Sequence, residues 1–253
     1  MGSGYVFRFR QLNSKNMTPI SADEFRDLMI AGGLIENKKV SEPVNTMFTT
    51  FENPFTIKDC KLVSLLFNEC PLNSIAFEGN TRIDIVTLSG TQTNFNSFTT
   101  DDSPIITTLN IGGMSNAQTV IINCKVHDLT FEECFIHAIT TNATLQMAKL
   151  FLKRGVNFNT LKLTGLYRTV QLDFSSGSEI ICEDTKITHI SAISTTIQTY
   201  GFTNHEGTSL TFDSLSFKTA RSMTFVSSSF LKIRVEGDQN RLFENLTVAL
   251  TGN

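Results

Sequence analysis

From Phe55 to Gly79 the chain reads FTIKD CKLVS LLFNE CPLNS IAFEG, with two apolar residues placed two apart in every block of five. The pairs are Phe55/Ile57, Cys60/Leu62, Leu65/Phe67, Cys70/Leu72 and Ile75/Phe77. The same beat returns in NCKVHDLTFEECFIHAIT as Cys124/Val126, Leu129/Phe131 and Cys134/Ile136, followed by Ile139. A helix repeats every ~3.6 residues and an isolated strand every ~2, so a period of five, doubled to ten by the cysteines, is neither. Internal repetition predicts a solenoid, in which a unit buries its apolar side only by stacking on its neighbours.

Looser copies fill most of the remaining chain: Leu109/Ile111, Val120/Ile122, Val156/Phe158, Leu161/Leu163, Val170/Leu172, Ile180/Cys182, Leu210/Phe212 and Leu215/Phe217. Leu246, Val248 and Leu250 supply a final strand. If four five-residue sides close one coil, residue n stacks over n+20 and faces n+10 across the core. With strands ~4.8 Å apart, residues 55–250 would form roughly ten coils in a rod about 45 Å long. Asn, Ser, Thr and Gly at the corners permit the turns. Residues 143–154 allow two readings, since Leu145/Met147 and Leu150/Leu152 continue the pairs while Leu145, Ala148, Phe151 and Leu152 would line a helix ended by Gly155. Val156/Phe158 directly after them favour continued solenoid.

Ahead of the repeat, Tyr5–Arg10 alternates like a strand. SADEFRDLMIAG then carries a capping box at Ser21 and Glu24, an apolar face of Phe25, Leu28 and Met29, and a Gly32-Gly33 stop. This helix is expected to cover the open end of the solenoid core, with docking of a partner through Phe25 as the functional alternative. The organisation predicted is an N-terminal strand and capping helix over 1–54, with residues 34–54 as a first, irregular coil leading into the repeat, and a continuous β-solenoid over 55–253. Within it, residues 88–104 are expected as a loop insertion, rich in turn-forming residues, projecting from one edge as a binding element.

The 55–79 and 124–139 stretches resemble pentapeptide-repeat proteins, in which a small residue and then Leu or Phe, two apart, point inward from each side of a four-sided coil. Cys60-Lys-Leu62, Cys70-Pro-Leu72 and Cys134-Phe-Ile136 carry the resemblance. It implies an all-β fold, a right-handed parallel β-helix with the N-terminal helical cap described above. Large residues (Leu65, Ile75, Leu129, Ile139) stand at every second small position, which predicts a wider or more irregular coil. Because members of that family act on topoisomerases, the resemblance also implies a DNA-mimicking regulator as one function to weigh.

Of the 253 residues 40% are hydrophobic and only 18% charged, and a net charge of −3 supplies neither a basic field for nucleic acid nor a strongly acidic, DNA-like surface. The aromatics are 21 Phe, 3 Tyr and no Trp, a set suited to a stacked core and poor in platforms for sugars or single-stranded nucleic acid. Five cysteines, most at inward repeat positions, read as small core hydrophobes in a reducing compartment. MGSGYVFRFR lacks the apolar core of a secretory signal, and no apolar run approaches membrane-spanning length. A cytoplasmic protein without membrane association is the expectation.

No constellation for catalysis stands out. His127, His137, His189 and His205 lack metal-ligand spacing. Asp101-Asp102, Glu132-Glu133 and Glu183-Asp184 offer paired carboxylates of the kind glycoside hydrolysis uses, but neighbours on a strand diverge. Gly112-Gly113 and Gly32-Gly33 lack the strand–helix context and Lys of a phosphate loop. Lys149, Lys153, Arg154, Lys162 and Arg168 make the one local positive cluster. The expectation is a non-enzymatic scaffold or regulatory subunit without cofactor or metal, binding another protein, with self-association left open and nucleic acid not expected. Asp101, Asp102, Lys149, Lys153, Arg154 and Phe25 are its candidate interaction residues. A DNA-mimicking regulator and a β-helix carbohydrate-active enzyme are the alternatives.

Overall fold

A computed structural model describes residues 17–213, 216, 219–236 and 247–251. They form a parallel β-solenoid of about ten turns, in which each strand pairs with the strands one coil before and one coil after it. One coil shows the logic. Side 1 points Cys60 and Leu62 inward, side 2 Leu65 and Phe67, side 3 Cys70 and Leu72, and side 4 Ile75 and Phe77, and all eight are buried. The next coil repeats the scheme with Thr81/Ile83, Val86/Leu88, Thr93/Phe95 and Phe98/Thr100. The inward pairs of successive coils stack in columns and fuse into one continuous apolar core.

The four corners are of two kinds. Sides 1 and 2 belong to one bent strand, Lys61–Asn68, and in the following coil Phe95–Thr100 likewise runs from side 3 into side 4. The other two corners turn on a residue with positive φ: Asp59 (φ 50°) between sides 4 and 1, Glu69 (φ 54°) between sides 2 and 3. These sharp corners come ten residues apart, which explains the doubled period of the cysteines. The residue after most of these left-handed turns points inward beside neighbouring backbone, where small side chains fit best. Cys60, Cys70, Cys134, Ser175, Thr185 and Thr195 all occupy this place. Large residues stand opposite because the bent corners leave room for them.

The small corner residues also stitch coils together. The Cys60 amide donates to Thr81 Oγ1 one coil on (3.3 Å), and that hydroxyl lies 2.7 Å from the Glu78 carbonyl to which it donates. Cys70 N–H to Thr93 Oγ1 (3.0 Å), Thr195 N–H to Ser216 Oγ (2.9 Å) and His205 N–H to Ser228 Oγ (3.1 Å) repeat the device. Buried backbone donors at a tight turn need such partners. The five thiols are free and buried. Burial pushes Cys124 up to about 11 and Cys134 to about 12, and raises Cys60 and Cys182 as well, so these four stay protonated core groups.

The helix Ala22–Ala31 caps the first coil as expected. Ser21 Oγ accepts from the Glu24 amide (3.2 Å), the Glu24 carboxylate accepts from the Ser21 amide (2.8 Å), and Gly32 ends the helix at φ 79°. Its Phe25 and Met29 are fully buried against the core. Phe25 therefore closes the core and presents nothing to a partner.

Two expectations change, and a third that stood open is decided. The coils begin well before residue 55: Gly33–Glu36 pairs in register with Phe55–Lys58, and Val44–Met47 with Lys61–Asn68, so no boundary separates 54 from 55. Residues 88–104 are not a projecting insertion, because Phe95–Thr100 is a solenoid strand paired on both sides and Phe95 and Phe98 are buried. The extra residues lengthen the coil instead. A coil takes 19 residues between Ala117 and Ile136, 20 between Ile105 and Lys125 and 23 between Ser89 and Gly112. Third, residues 143–154 resolve in favour of the solenoid, within the strand Phe135–Lys153, with Met147, Leu150 and Leu152 inward. Tyr5–Arg10, Leu215, Phe217 and Leu246 lie outside the described residues.

Candidate functional site

The two sharp corners stack into two edges running along the solenoid, and their residues differ. On the edge between sides 4 and 1, the non-glycine residues with positive φ are Asn37, Asp59, Asp184, Asn204 and Ser227. Asn and Asp enter this conformation at low cost because their short polar side chains bond locally. Asp59 Oδ1 accepts from the Asn80 amide (2.7 Å), and the Asn204 side-chain amide donates to Asp184 Oδ1 (2.9 Å). This edge is built as local chemistry would build it.

The edge between sides 2 and 3 carries Phe48, Glu69, Glu133, Arg154, Phe174 and Ser194 at positive φ, with Gly90, Gly113 and Gly155 among them. A bulky aromatic in the left-handed region is a true outlier. Here there are two. Phe48 (φ 51°) is 71% exposed and Phe174 (φ 50°) 64% exposed, so neither gains the burial that would offset its conformation. Met47 beside Phe48 and Ile193 beside Phe174 are exposed as well. The column runs Phe48, Glu69, Gly90, Gly113, Glu133, Arg154, Phe174, as the coil-to-coil bonds Phe48 N–H to Asn68 O, Glu69 N–H to Ser89 O, Gly113 N–H to Glu132 O and Phe174 N–H to Ile193 O establish.

Midway along this edge lies a cleft of about 430 Å³. Gly112, stacked between Ser89 and Glu132, and Gly113 are part of its lining. Thr87, Asn110, Thr130, Glu132, Glu133 and Lys153 line it as well. Glu132 is held by two cations, Arg154 at 2.7 Å and Lys153 at 3.5 Å. The Glu133 carboxylate takes part in no hydrogen bond or ion pair among the described residues.

The sequence candidates scatter over the molecule. Asp101 caps its own edge, with Oδ2 accepting from the Gly79 amide (2.9 Å) and Oδ1 from the Ser103 amide (3.0 Å), while Asp102 accepts from the Ser103 hydroxyl (3.0 Å). Lys149 lies on the outer face of side 1, with its ammonium 6.0 Å from the Phe151 ring, and Lys162 pairs with Glu183 on side 4 (2.6 Å). Only Lys153 and Arg154 of the basic cluster come together, around Glu132. The edge itself escaped sequence reasoning. Its one available signal is Phe174-Ser175, where an aromatic takes the turn position that precedes a small inward residue.

His205 is the one buried histidine, in the small inward place after Asn204. Its Nδ1 lies 2.6 Å from Thr185 Oγ1, Phe202 and Phe230 pack on its ring, and Nε2 has no partner. Burial holds it neutral, with its pKa lowered to about 4. Among the described residues no three His, Cys, Asp or Glu side chains are placed to hold a metal ion, and no helix is long and apolar enough to cross a membrane. Compared with known proteins, the chain matches no family model, no curated protein and no solved structure.

Proposed function

We propose that this chain is a non-enzymatic binding module of the pentapeptide-repeat kind, and that it engages another protein along the edge between sides 2 and 3. The observation that carries the reading is the pair Phe48 and Phe174, two large aromatics exposed in a backbone conformation costing roughly 1–2 kcal/mol each. Local rules broken without a gain to the fold are the mark of a functional surface. Exposed aromatics on a rigid support are the residues protein interfaces most often use as anchors. The solenoid supplies that rigidity, since each coil fixes its outward side chains in columns.

The DNA-mimicking alternative has less support. Glu36, Glu132, Glu183 and Glu206 are each paired with a cation, and Asp59, Asp101 and Asp213 accept from backbone amides, so these seven carboxylates are engaged within the fold and do not line up as a free acidic face. A carbohydrate-active enzyme would draw on Glu132 and Glu133. Glu132 is taken up by Arg154 and Lys153, which leaves Glu133 alone where that chemistry needs two carboxylates.

The test is affinity capture from the native cell with wild-type protein, the double variant Phe48→Ser/Phe174→Ser, and Asn204→Ser on the opposite edge as control. A protein enriched by wild type and by the control, and lost with the double variant, is the expected result. Identical captured sets with all three would remove this edge from the interaction.

A further inference from the structure

We propose that His205 is an acid-operated latch on the C-terminal coil: a proton taken from solvent by its ring releases the strand Ser229–Glu236 from Glu206–Asp213 while the coils before it stay closed. His205 holds that strand with backbone and ring alike. Its amide donates to Ser228 Oγ (3.1 Å), its carbonyl accepts from the Ser229 amide (2.8 Å), and its ring lies 4.6 Å from that of Phe230. Gly207 makes this approach possible, since a Cβ there would stand 2.8 Å from both Nε2 and the Phe230 ring. Nδ1 is engaged by Thr185 Oγ1 and Nε2 has no partner. Whichever nitrogen carries the proton of the neutral ring, a second proton leaves an N–H at Nε2 among aromatic rings that offer it no acceptor oxygen.

The weaker neighbour gives way to the charge. Thr185 belongs to the strand Ser176–Ile193, which pairs with coils on both sides, whereas Ser229–Glu236 has one pairing among the described residues. Ile233 stacks on the fully buried Leu210 yet is 52% exposed, so the core reaches solvent at this strand. Local opening begins where few apolar contacts are buried. Asp184, Lys186, Glu206, Lys232 and Arg234, the charged groups beside His205 on the elements packed against it, are all exposed. Lys186 pairs with Glu206 (2.8 Å), Arg234 with Glu236 (3.1 Å) and Glu183 with Lys162 (2.6 Å). Asp184 accepts from Asn204 (2.9 Å), His189 bonds Ser209 (2.8 Å), and Asp213 accepts from the Ser216 amide (2.8 Å). Glu206 favours the charged ring but burial outweighs it, so the closed coil keeps His205 neutral down to about pH 4. In the opened coil the ring regains its ordinary value of about 6.5. Between those limits the ratio of open to closed coil rises about tenfold for each pH unit that is lost.

Hydrogen exchange of the full chain, followed by mass spectrometry at pH 7.5, 5.5 and 4.5 and corrected for the intrinsic pH dependence of exchange, tests the latch. Peptides within Ser229–Glu236 should lose protection about tenfold between the first two conditions and about tenfold again at the third, while those within Lys125–Glu132 keep theirs. In His205→Thr, which restores the small residue of this column, the pH dependence should vanish. His205→Phe, a ring that takes no proton, replaces it if the Thr variant is already open at pH 7.5. If both variants are open there, the imidazole proton signals of the wild type decide. His205 charging in step with the loss of protection is the expected result, and His205 charging while the strand stays protected overturns the latch. Equal loss in all coils, unchanged protection of Ser229–Glu236, or a pH dependence that survives in a closed variant would each overturn it too, the last by assigning the release to carboxylates such as Glu206.

Discussion

Two edges of one solenoid solve the same backbone problem with different residues. Both turn sharply once per coil, and both mostly follow the turn with a small inward residue. Along the edge of Asn37, Asp59, Asp184 and Asn204 the turn residue costs little and bonds its neighbour, whereas along the edge of Phe48, Glu133, Arg154 and Phe174 it strains the backbone and faces water. The first edge shows what the fold asks of a corner. The second departs from it in a direction that stability cannot explain, and that difference separates a structural surface from a working one.

The largest effect expected lies just inside the first edge. His205 is neutral in the folded protein with its pKa near 4, below its unfolded value near 6.5. The unfolded chain takes up the proton first as pH falls, so this contribution is complete above about pH 6.5 and disappears between there and about pH 4. It amounts to roughly 3 kcal/mol. The difference in urea midpoint between pH 7.5 and pH 4.5 should therefore shrink in His205→Thr, which restores the column's usual residue. An unchanged difference would show that the site does not govern acid stability.

Next in size are the coil-to-coil stitches. Thr81→Val keeps the shape but strands the Cys60 amide, at a cost of roughly 2 kcal/mol in denaturant unfolding. The matching change in the other edge's stitch, Thr93→Val, should cost about as much because Cys70 N–H depends on it in the same way. A large disparity would mean that the edges differ in their foundations as well as their turns.

Smallest, and most telling, is the exchange of turn residues. Phe174→Asn should raise stability by about 1 kcal/mol, since Asn accepts the left-handed conformation that Phe resists. Asn204→Phe on the first edge should lower it by a similar amount. A stabilised Phe174→Asn that no longer binds its partner would show strain retained for function. A destabilised one would mean that the ring supports the fold after all, and the contrast between the edges would lose its meaning.

Much of this architecture is written in the five-residue beat, because inward pairs such as Leu129/Phe131 must recur wherever coils share a core. Even the cysteine doubling carried more than core packing: it marked the sharp corners, as Thr81 and Thr185 in the same column show. The cleft was hidden by register drift. A fixed step of twenty stacks Leu109 on Ser89, whereas a coil of 23 residues brings Gly112 there, so its missing side chain could not be assigned to the edge. Phe174 was hidden by its own chemistry. Phe is a core residue by preference, and only the turn it occupies sends it outward.

Variable coil length has a consequence for how the molecule sets distances. Extra residues between Ser89 and Gly112 swell a corner without moving the strands apart, since separation along the axis depends on backbone pairing alone. The span from Phe48 to Phe174 is thus a ruler graduated in coils and indifferent to residue count. Small insertions and deletions at corners can accumulate without altering what the ruler measures, whereas loss of one whole coil would shorten it by a full division and put its two marks out of reach of the same partner.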